Sequence, residues 1–189
     1  MVTAVVGAGG KTTLIHALAR QYRAQNRKVF VTTTTHMYRE AGMLLDPDAA
    51  QLCAELNTHG YAVAGTLAAE GKFGPLSPAV YLAGCAAADE VLVEADGARG
   101  HLMKLPAAHE PVIPDNAQTI ILVFNRTAIG RPISEAAHRP QIVADYLGKP
   151  LDARITAADF EAAAKRYLEL LRAEHPACRV VFHPVPAES

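Results

Sequence analysis

The sequence predicts an α/β fold in which a mostly parallel sheet is flanked by helices in three layers. Short apolar segments alternate with longer helical segments along the chain, as in proteins built from βαβ units. Half of the residues are hydrophobic but only 6% are aromatic, which suits helices packed on a parallel sheet better than an aromatic-rich sandwich. The chain has 189 residues. We therefore expect one domain over residues 1–189.

The first strand and the first helix are joined by a glycine-rich turn. Apolar residues 2–6 predict a buried strand and residues 12–25 predict a helix. The turn consists of Gly7, Ala8, Gly9, Gly10, Lys11, Thr12 and Thr13. Glycines let backbone N–H groups surround an anion, the lysine adds a mobile ammonium and the first threonine offers a hydroxyl to Mg²⁺. A helix N-terminus also favours negative charge. The segment predicts a P-loop NTPase-like fold that binds ATP or GTP with Mg²⁺.

The spacing of this loop departs from the common phosphate loop. There, a glycine stands six positions before the lysine, a place that Val5 occupies here, so this loop turns later, from Gly7. The compact string resembles the ATP loop of the Mur ligases. The alternative interpretation is a glycine-rich turn without a ligand.

The remaining elements follow from apolar runs, caps and turn residues. Residues 28–33 predict a second strand, which completes a right-handed βαβ unit. Ser77-Pro78 predicts the start of a helix, and Thr156 with Asp159 resembles a capping box. An irregular stretch of about twenty residues is commonly functional. In order, we predict a helix over 46–56 that stops within 57–60, a strand over 61–65, a helix over 79–88, a strand over 90–95, an irregular stretch over 97–118, a strand over 119–124, helices over 134–147 and 156–173, a strand over 179–182 and a tail over 184–189.

Two carboxylates follow the apolar strand residues 91–93. Glu94 and Asp96 are two residues apart, so both point to one face if the strand continues. At the carboxyl end of a parallel strand, that face looks into the crevice where α/β proteins bind ligands. Both are candidates for catalysis and for Mg²⁺, one holding the metal and the other orienting a nucleophile, and the sequence leaves open which does which. The alternative is a pair of solvated acids.

Other polar residues are weaker candidates. The run Thr32–His36 closes the second strand, where Thr34 or Thr35 would lie near the triphosphate and His36 could be a general acid or base, a metal ligand or a substrate contact. Arg99 and Lys104 could each bind a phosphate or an anionic substrate, or be ordinary solvated bases. Asn125 stands where a GTPase carries its guanine-recognition motif, but the Asp of that motif is lacking, so GTP specificity is unsupported.

Composition excludes several classes of partner. The formal net charge of −1 gives no electrostatic argument for nucleic acid or an acidic membrane. No apolar run approaches the roughly 20 residues that span a bilayer, and the N-terminus lacks the regions of a signal peptide. Three widely spaced cysteines suggest neither a disulfide framework nor a zinc ribbon. We expect a cytoplasmic protein without nucleic acid or membrane partners.

Several blocks of residues, in order between Val2 and Gly148, resemble one family. They are residues 7–13, 32–36, 93–98, 104, 106, 109–114 and 138–140. The chain resembles the YqeC proteins, described as accessory factors for selenium-dependent molybdenum hydroxylases and as selenium cofactor biosynthesis proteins. The resemblance implies an ATP or GTP site and a partner that is a molybdenum hydroxylase or a cofactor-maturation protein. Compared with family members, the chain looks short at both ends.

Three hypotheses about function follow. The first is an NTPase that couples ATP or GTP to maturation of a selenium- or molybdenum-dependent hydroxylase. The second is an ATP-dependent ligase or small-molecule kinase, suggested by the Mur-like loop, although Mur ligases use further domains for which 189 residues leave no room. The third is a nucleotide-sensing chaperone or adaptor with little turnover. Transfer of phosphate to a small acceptor, or hydrolysis that depends on a partner, would separate them.

Overall fold

A computed structural model describes residues 1–69 and 71–187, which form a mixed α/β structure with mostly parallel strands and flanking helices. These residues group into two compact units. The first unit contains Met1–Ala4, Thr12–Ala95 and Val112–Gln118, and the second contains Val5–Lys11, Asp96–Pro111 and the chain from Thr119 onward. The expectation of a single domain over residues 1–189 stays a prediction.

Helices and strands alternate along the chain. Up to residue 94 they are β1 (Val2–Gly7), α1 (Lys11–Ala24), β2 (Val29–Thr33), β3 (Met37–Tyr38), β4 (Leu44–Leu45), α2 (Ala49–His59), β5 (Tyr61–Leu67), β6 (Lys72–Gly74), α3 (Pro78–Ala87) and β7 (Glu90–Glu94). Beyond it they are β8 (Met103–Lys104), β9 (Thr119–Asn125), a 3₁₀ turn (Arg126–Ala128), α4 (Ile133–Ala136), β10 (Ala137–His138), α5 (Pro140–Leu147), α6 (Ala157–Glu174) and β11 (Arg179–Val185).

In the first unit, β2 lies between two parallel partners. Val29 of β2 stands opposite Glu90 of β7 and opposite Tyr61 of β5. The antiparallel strand β6 follows β5, and β3 pairs with β6. Parallel strands covered on both faces are nearly continuous hydrophobic runs, and the central strands supply most of the core. Its buried members are Val2, Phe30, Leu52, Leu56, Ala62, Ala64, Val91 and Val93.

In the second unit, β9 and β11 pair in parallel from Thr119↔Arg179 to Asn125↔Val185. Helix α6 packs beside them through aromatic side chains. The ring centroid of Phe124 lies 5.8 Å from that of Phe160 and 6.3 Å from that of Tyr167. The Phe124–Phe160 pair is edge-to-face, which is a favoured arrangement of aromatic rings at such a distance. The short strands β8 and β10 form a separate parallel pair.

Most of the predicted helices and strands are confirmed within a few residues. Helix α2 runs three residues beyond the predicted end, because the αL residue that stops it is Gly60. Strand β11 is longer than predicted and includes Pro184, which an edge strand tolerates. Of the predicted tail over 184–189, residues 188–189 lie outside the described residues.

The single helix predicted over residues 134–147 is wrong. The segment contains α4, then β10, then α5. A residue that precedes proline is sterically pushed out of the α region, and Arg139, before Pro140, adopts φ 54°. The irregular stretch predicted over 97–118 is largely confirmed, although it also contains the two-residue strand β8.

Over residues 1–69 and 71–187, no helix combines the length and the apolar character needed to cross a membrane.

Candidate functional site

The glycine loop connects the end of β1 to the first turn of α1. Gly7 has φ +91° and Gly9 has φ +74°, conformations that residues with a Cβ rarely adopt. A Cβ at Gly7 would stand 2.2 Å from the Val123 carbonyl oxygen, and one at Gly9 would stand 2.6 Å from Cβ of Asn125. Only glycine therefore fits at these two positions.

The first two amide groups of the loop are already donated to protein acceptors. Gly7 N–H donates to Oδ2 of Asp96 at 3.1 Å, and Ala8 N–H donates to the Val123 carbonyl at 2.8 Å. Lys11 is 6% exposed, and its Nζ donates to the Gly7 carbonyl at 2.9 Å. The first turn of a helix leaves N–H groups without partners inside the helix. An anion held by this loop would thus meet amide groups from Gly9 onward.

Thr12 and Glu94 form a pair of oxygen ligands suited to Mg²⁺. Oγ1 of Thr12, an exposed residue, donates to Oε2 of the buried Glu94 at 2.8 Å. Mg²⁺ is usually held by one or two protein oxygens, with waters and substrate phosphates completing its octahedron. Within the described parts of the chain, no group of three or more His, Cys, Asp or Glu residues is placed to hold a metal. Two protein oxygens are a number that suits Mg²⁺ whose other ligands are waters and phosphate oxygens.

The threonine run at the end of β2 packs against the backbone of Glu94. The Thr33 hydroxyl and the Thr34 amide both donate to the Glu94 carbonyl, at 2.7 Å and 3.1 Å. The Thr34 hydroxyl donates to the Val112 carbonyl at 2.6 Å. These bonds fix the end of β2 beside Glu94. The predicted contact of Thr34 with a nucleotide stays a prediction.

His36, Arg99 and Thr13 are exposed, as is Thr12. The His36 ring lies beside Gly74 of β6, 3.7 Å from where a Cβ of that residue would stand. Arg99 has φ 46° in a turn closed by the bond from His101 N–H to the Ala98 carbonyl. Positive φ at a non-glycine residue is uncommon and is enriched at functional sites. The roles predicted for these residues stay predictions.

Asp96 is buried, and both of its oxygens accept hydrogen bonds. Oδ2 receives Gly7 N–H and the Tyr167 hydroxyl, the latter at 2.7 Å, while Oδ1 receives Nζ of Lys104 at 2.6 Å. Burial first, and then the negative charge of Asp96, raises the pKa of Tyr167 well above its ordinary value. The hydroxyl therefore stays protonated and donates. Asp96 joins the glycine loop to Lys104 in this structure.

Lys104 has a fully buried side chain, and its ammonium donates to three acceptors. These are Oδ1 of Asp96, the Gly97 carbonyl at 2.9 Å and Oε2 of Glu110 at 2.8 Å. Arg139 donates to Oε1 of Glu110 at 2.8 Å. We call Asp96, Lys104, Glu110 and Arg139 the Lys104 cluster. It holds two carboxylates and two cations and is therefore balanced in charge.

The Lys104 cluster brings together two proline-containing segments that are separated in the sequence. Glu110 precedes Pro111, and Arg139 precedes Pro140. Burial of Glu110 would raise its pKa, but the hydrogen bonds from Lys104 and Arg139 outweigh this and lower the pKa to about 2. The place of Glu110 and Arg139 next to prolines was the one feature of the sequence that could have drawn attention to them. No feature of the sequence indicated that they would pair across 29 residues.

His138 lies opposite Lys104 in the pairing of β8 with β10. It is 9% exposed, and its ring centroid lies 5.5 Å from that of His101. Burial first, and then the positive charge of Lys104, lowers the pKa of His138 to about 4. This imidazole is therefore neutral at physiological pH.

Asn125 has a local structural task. Its Oδ1 accepts from the amide and the hydroxyl of Thr127, at 2.9 Å and 2.7 Å, and caps the 3₁₀ turn. The side chain that stands where GTPases carry a base-recognition motif is thus used to shape its own turn.

Comparisons with known proteins give one consistent likeness. A family model described as YqeC protein matches residues 3–141. A relative from Escherichia coli (strain K12), named Uncharacterized protein YqeC, is 32% identical over 189 residues, which is 96% of this chain and 74% of that protein. No solved structure matches the chain.

Proposed function

The chain belongs to the YqeC family, and we propose that this member binds ATP or GTP with Mg²⁺ through its glycine loop in a P-loop NTPase-like fold. One observation carries the proposal. The loop joins a buried strand to a helix N-terminus through glycines whose φ angles and close neighbours leave no room for a Cβ. Backbone that is held in this conformation presents its amide groups to an anion, as in other phosphate-binding loops.

The proposal gives each loop residue a task. Gly9 and Gly10 turn their amides towards the phosphates, and Lys11 gives up its bond to the Gly7 carbonyl to meet the β- and γ-phosphates. Thr12 and Glu94 hold Mg²⁺, directly or through water. When bound, Mg²⁺ neutralises charge on the phosphates.

Residues outside the loop have proposed roles as well. Thr34, Thr13 and Arg99 are proposed as further contacts to nucleotide or substrate. Glu94 and His36 are the proposed groups for orienting a water molecule towards the γ-phosphate. Asp96 already accepts three hydrogen bonds, and a metal or catalytic role for it stays a prediction.

A second candidate, a nucleotide sensor with little turnover, is favoured by the surroundings of Asp96. Its two oxygens accept from Gly7, Tyr167 and Lys104, so one of the two predicted catalytic carboxylates serves to hold the loop. A nucleotide sensor must couple the conformation of its phosphate-binding loop to the rest of the protein, which hydrogen bonds to Asp96 can do. It has less need of a second catalytic acid.

The proposed biological role is that of a cytoplasmic accessory protein in the maturation of a selenium- or molybdenum-dependent hydroxylase. The family resemblance supports this role. If the protein is an NTPase, its hydrolysis should rise when the hydroxylase or a cofactor-maturation protein is added. If it is a sensor, hydrolysis should stay near background while affinity for the partner depends on the nucleotide that is bound.

Replacement of Lys11 tests nucleotide binding. We expect Lys11→Ala to abolish the binding of MgATP and MgGTP in titration calorimetry, because the phosphates lose their only side-chain cation from the loop, while the circular dichroism spectrum stays that of the folded protein. The matched control is Lys165→Ala, which removes an exposed lysine on α6 and should leave binding unchanged. Equal affinity of the Lys11 variant and the original protein would refute the proposal.

A further inference from the structure

We propose that Lys104 is a positioning residue of the glycine loop, which it controls through Asp96. The expected effect of Lys104 on nucleotide affinity rests on the proposed function. The expected effect of Lys104 on the conformation of the loop does not. The geometry is a chain of two hydrogen bonds, from Lys104 Nζ to Asp96 Oδ1 at 2.6 Å and from Gly7 N–H to Asp96 Oδ2 at 3.1 Å.

The two oxygens of Asp96 are committed in different directions. One meets the lysine, and the other meets the first amide of the loop together with the Tyr167 hydroxyl. A carboxylate is planar, so turning it to improve one of these bonds spoils the others. Lys104 and Tyr167 therefore fix the orientation in which Asp96 holds Gly7. Gly7 is the residue at which the chain leaves β1 for the loop.

Lys104 acts through Asp96 rather than on a ligand directly. Its side chain is 0% exposed. An ammonium can donate three hydrogen bonds. Those of Lys104 go to Asp96, the Gly97 carbonyl and Glu110. A direct contact with phosphate would require Lys104 to abandon these acceptors. In this proposal Lys104 arranges the residue that holds the loop and does not itself contact the phosphate.

Glu110 and Arg139 complete the arrangement at its outer end. Glu110 accepts the third hydrogen bond of Lys104. It also accepts hydrogen bonds from Arg139 and from the Ala107 amide, the latter at 3.4 Å. A buried cation keeps one conformation only when its remaining donors are satisfied. The prolines that follow Glu110 and Arg139 restrict the backbone at both residues. The two proline-containing segments thus support the loop from a distance in sequence.

Lys104 would preorganise the glycine loop for nucleotide binding. If Gly7 is held before a nucleotide arrives, the amides from Gly9 onward already lie where phosphate needs them, and binding loses less conformational freedom. Without Lys104, Asp96 can rotate, and the loop samples other conformations. Because binding must then also order the loop, we expect loss of Lys104 to weaken MgATP binding by about tenfold or more.

The test combines calorimetry with the NMR signal of the Gly7 amide. In Lys104→Met and in Asp96→Asn, we expect weaker MgATP binding and a shifted Gly7 amide resonance with faster solvent exchange. The double variant should bind no more weakly than the weaker single variant, because the two residues act in one chain. A lysine needed only for stability would not move the Gly7 signal selectively. Should Lys104→Met fail to fold, Lys104→Arg, which keeps a cation but changes the geometry of its donors, carries the same test of the Gly7 signal and of MgATP affinity.

The matched control is Lys149→Met. Lys149 also forms a 2.6 Å pair with a poorly exposed aspartate, Asp159, but this aspartate belongs to the capping box of α6 and does not contact the loop. The Lys149→Met substitution should leave MgATP affinity and the Gly7 signal unchanged. A folded Lys104→Met protein with the original affinity and the original Gly7 signal would overturn the inference. If the original protein bound neither MgATP nor MgGTP, the proposed function would fail instead, and the Gly7 signal in nucleotide-free protein would still decide the role of Lys104.

Discussion

At the scale of single residues, His138 shows how the surroundings of a side chain set its charge. It is buried, and Lys104, Arg139 and His101 disfavour its protonated form while only Glu110 favours it. The pKa falls from an ordinary 6.5 to about 4. In the unfolded chain the same imidazole takes up a proton near its ordinary pKa. Between these two values the unfolded state binds more protons, so the free energy of unfolding rises with pH.

We expect replacement of His138 to remove part of the pH dependence of stability. For the original protein, the stabilising effect of a neutral buried His138 is present above about pH 6.5 and is lost as the pH falls towards about 4. His138→Asn should therefore show a smaller decrease of the urea midpoint over this window. His183→Asn, which changes an exposed histidine on β11, is the control and should follow the original profile. Parallel profiles for His138→Asn and the original protein would contradict the assignment.

The candidate site could be predicted from sequence only where it is local. Gly7 to Thr13 form one continuous motif, and Glu94 and Asp96 follow an apolar strand, so their residue types and spacing were informative. The Lys104 cluster depends on the pairing of β8 with β10 and on a salt bridge between Glu110 and Arg139. No periodicity or spacing encodes which distant ions will meet. For this reason the sequence left Lys104 as either a contact to phosphate or substrate or a solvated base, whereas its side chain is buried between two carboxylates of the protein.

At the scale of elements, two helix starts differ in whether the cap residue uses its side chain. Thr156 caps α6 and forms a capping box with Asp159. Ser77 occupies the same position before α3, but its side chain makes no capping hydrogen bond. Both sequences suggested a cap. The two sites therefore form a natural comparison between a used cap and an unused one.

We expect Thr156→Ala to lower the free energy of unfolding by about 0.5–2 kcal/mol, since it leaves an amide of α6 without its acceptor. Ser77→Ala should change it by no more than about 0.5 kcal/mol, the usual range for surface substitutions. Urea denaturation followed by circular dichroism gives both values. Equal losses in the two variants would mean that the capping bond of Thr156 contributes little.

Long elements were predictable and short ones were not. The apolar runs of β2, β7 and β9 and the capping box of α6 can be recognised in the sequence, because burial and capping act on neighbouring residues. Strands β3, β4, β8 and β10 have two residues each, too few to show an alternating pattern. These short strands form through hydrogen bonds to a neighbouring strand and not through a pattern of their own residues. Pro140 marks the break between β10 and α5, and the helix predicted over 134–147 did not take its effect on Arg139 into account.

At the scale of the whole molecule, the chain passes from one compact unit to the other five times. The passages follow Ala4, Lys11, Ala95, Pro111 and Gln118. Two of them interrupt the regions with candidate functional residues, between Lys11 and Thr12 and between Ala95 and Asp96. Neither unit is therefore a continuous segment of sequence.

This connectivity gives an expectation for a fragment that ends at Gln118. The fragment contains every segment of the first unit but lacks β9, β11 and α6, so Ala8 loses the Val123 carbonyl and Asp96 loses the Tyr167 hydroxyl. We expect residues 96–111 of the fragment to exchange their amide hydrogens at nearly the rate of an unfolded chain, as read by mass spectrometry. The same residues in the full chain are the reference. Protected amides at Met103 and Lys104 in the fragment would show that this region folds without the missing elements.

The Lys104 cluster also restricts how this protein can vary between lineages. A single substitution of Lys104 by an apolar residue would leave Asp96 and Glu110 as neighbouring carboxylates without their shared cation. Breaking a buried ion pair in this way costs about 3–5 kcal/mol, a large share of the stability of most domains. The substitution becomes acceptable only when one of the carboxylates is replaced as well. These positions should therefore be inherited together, and descendants that have lost one ion should carry a compensating change at another.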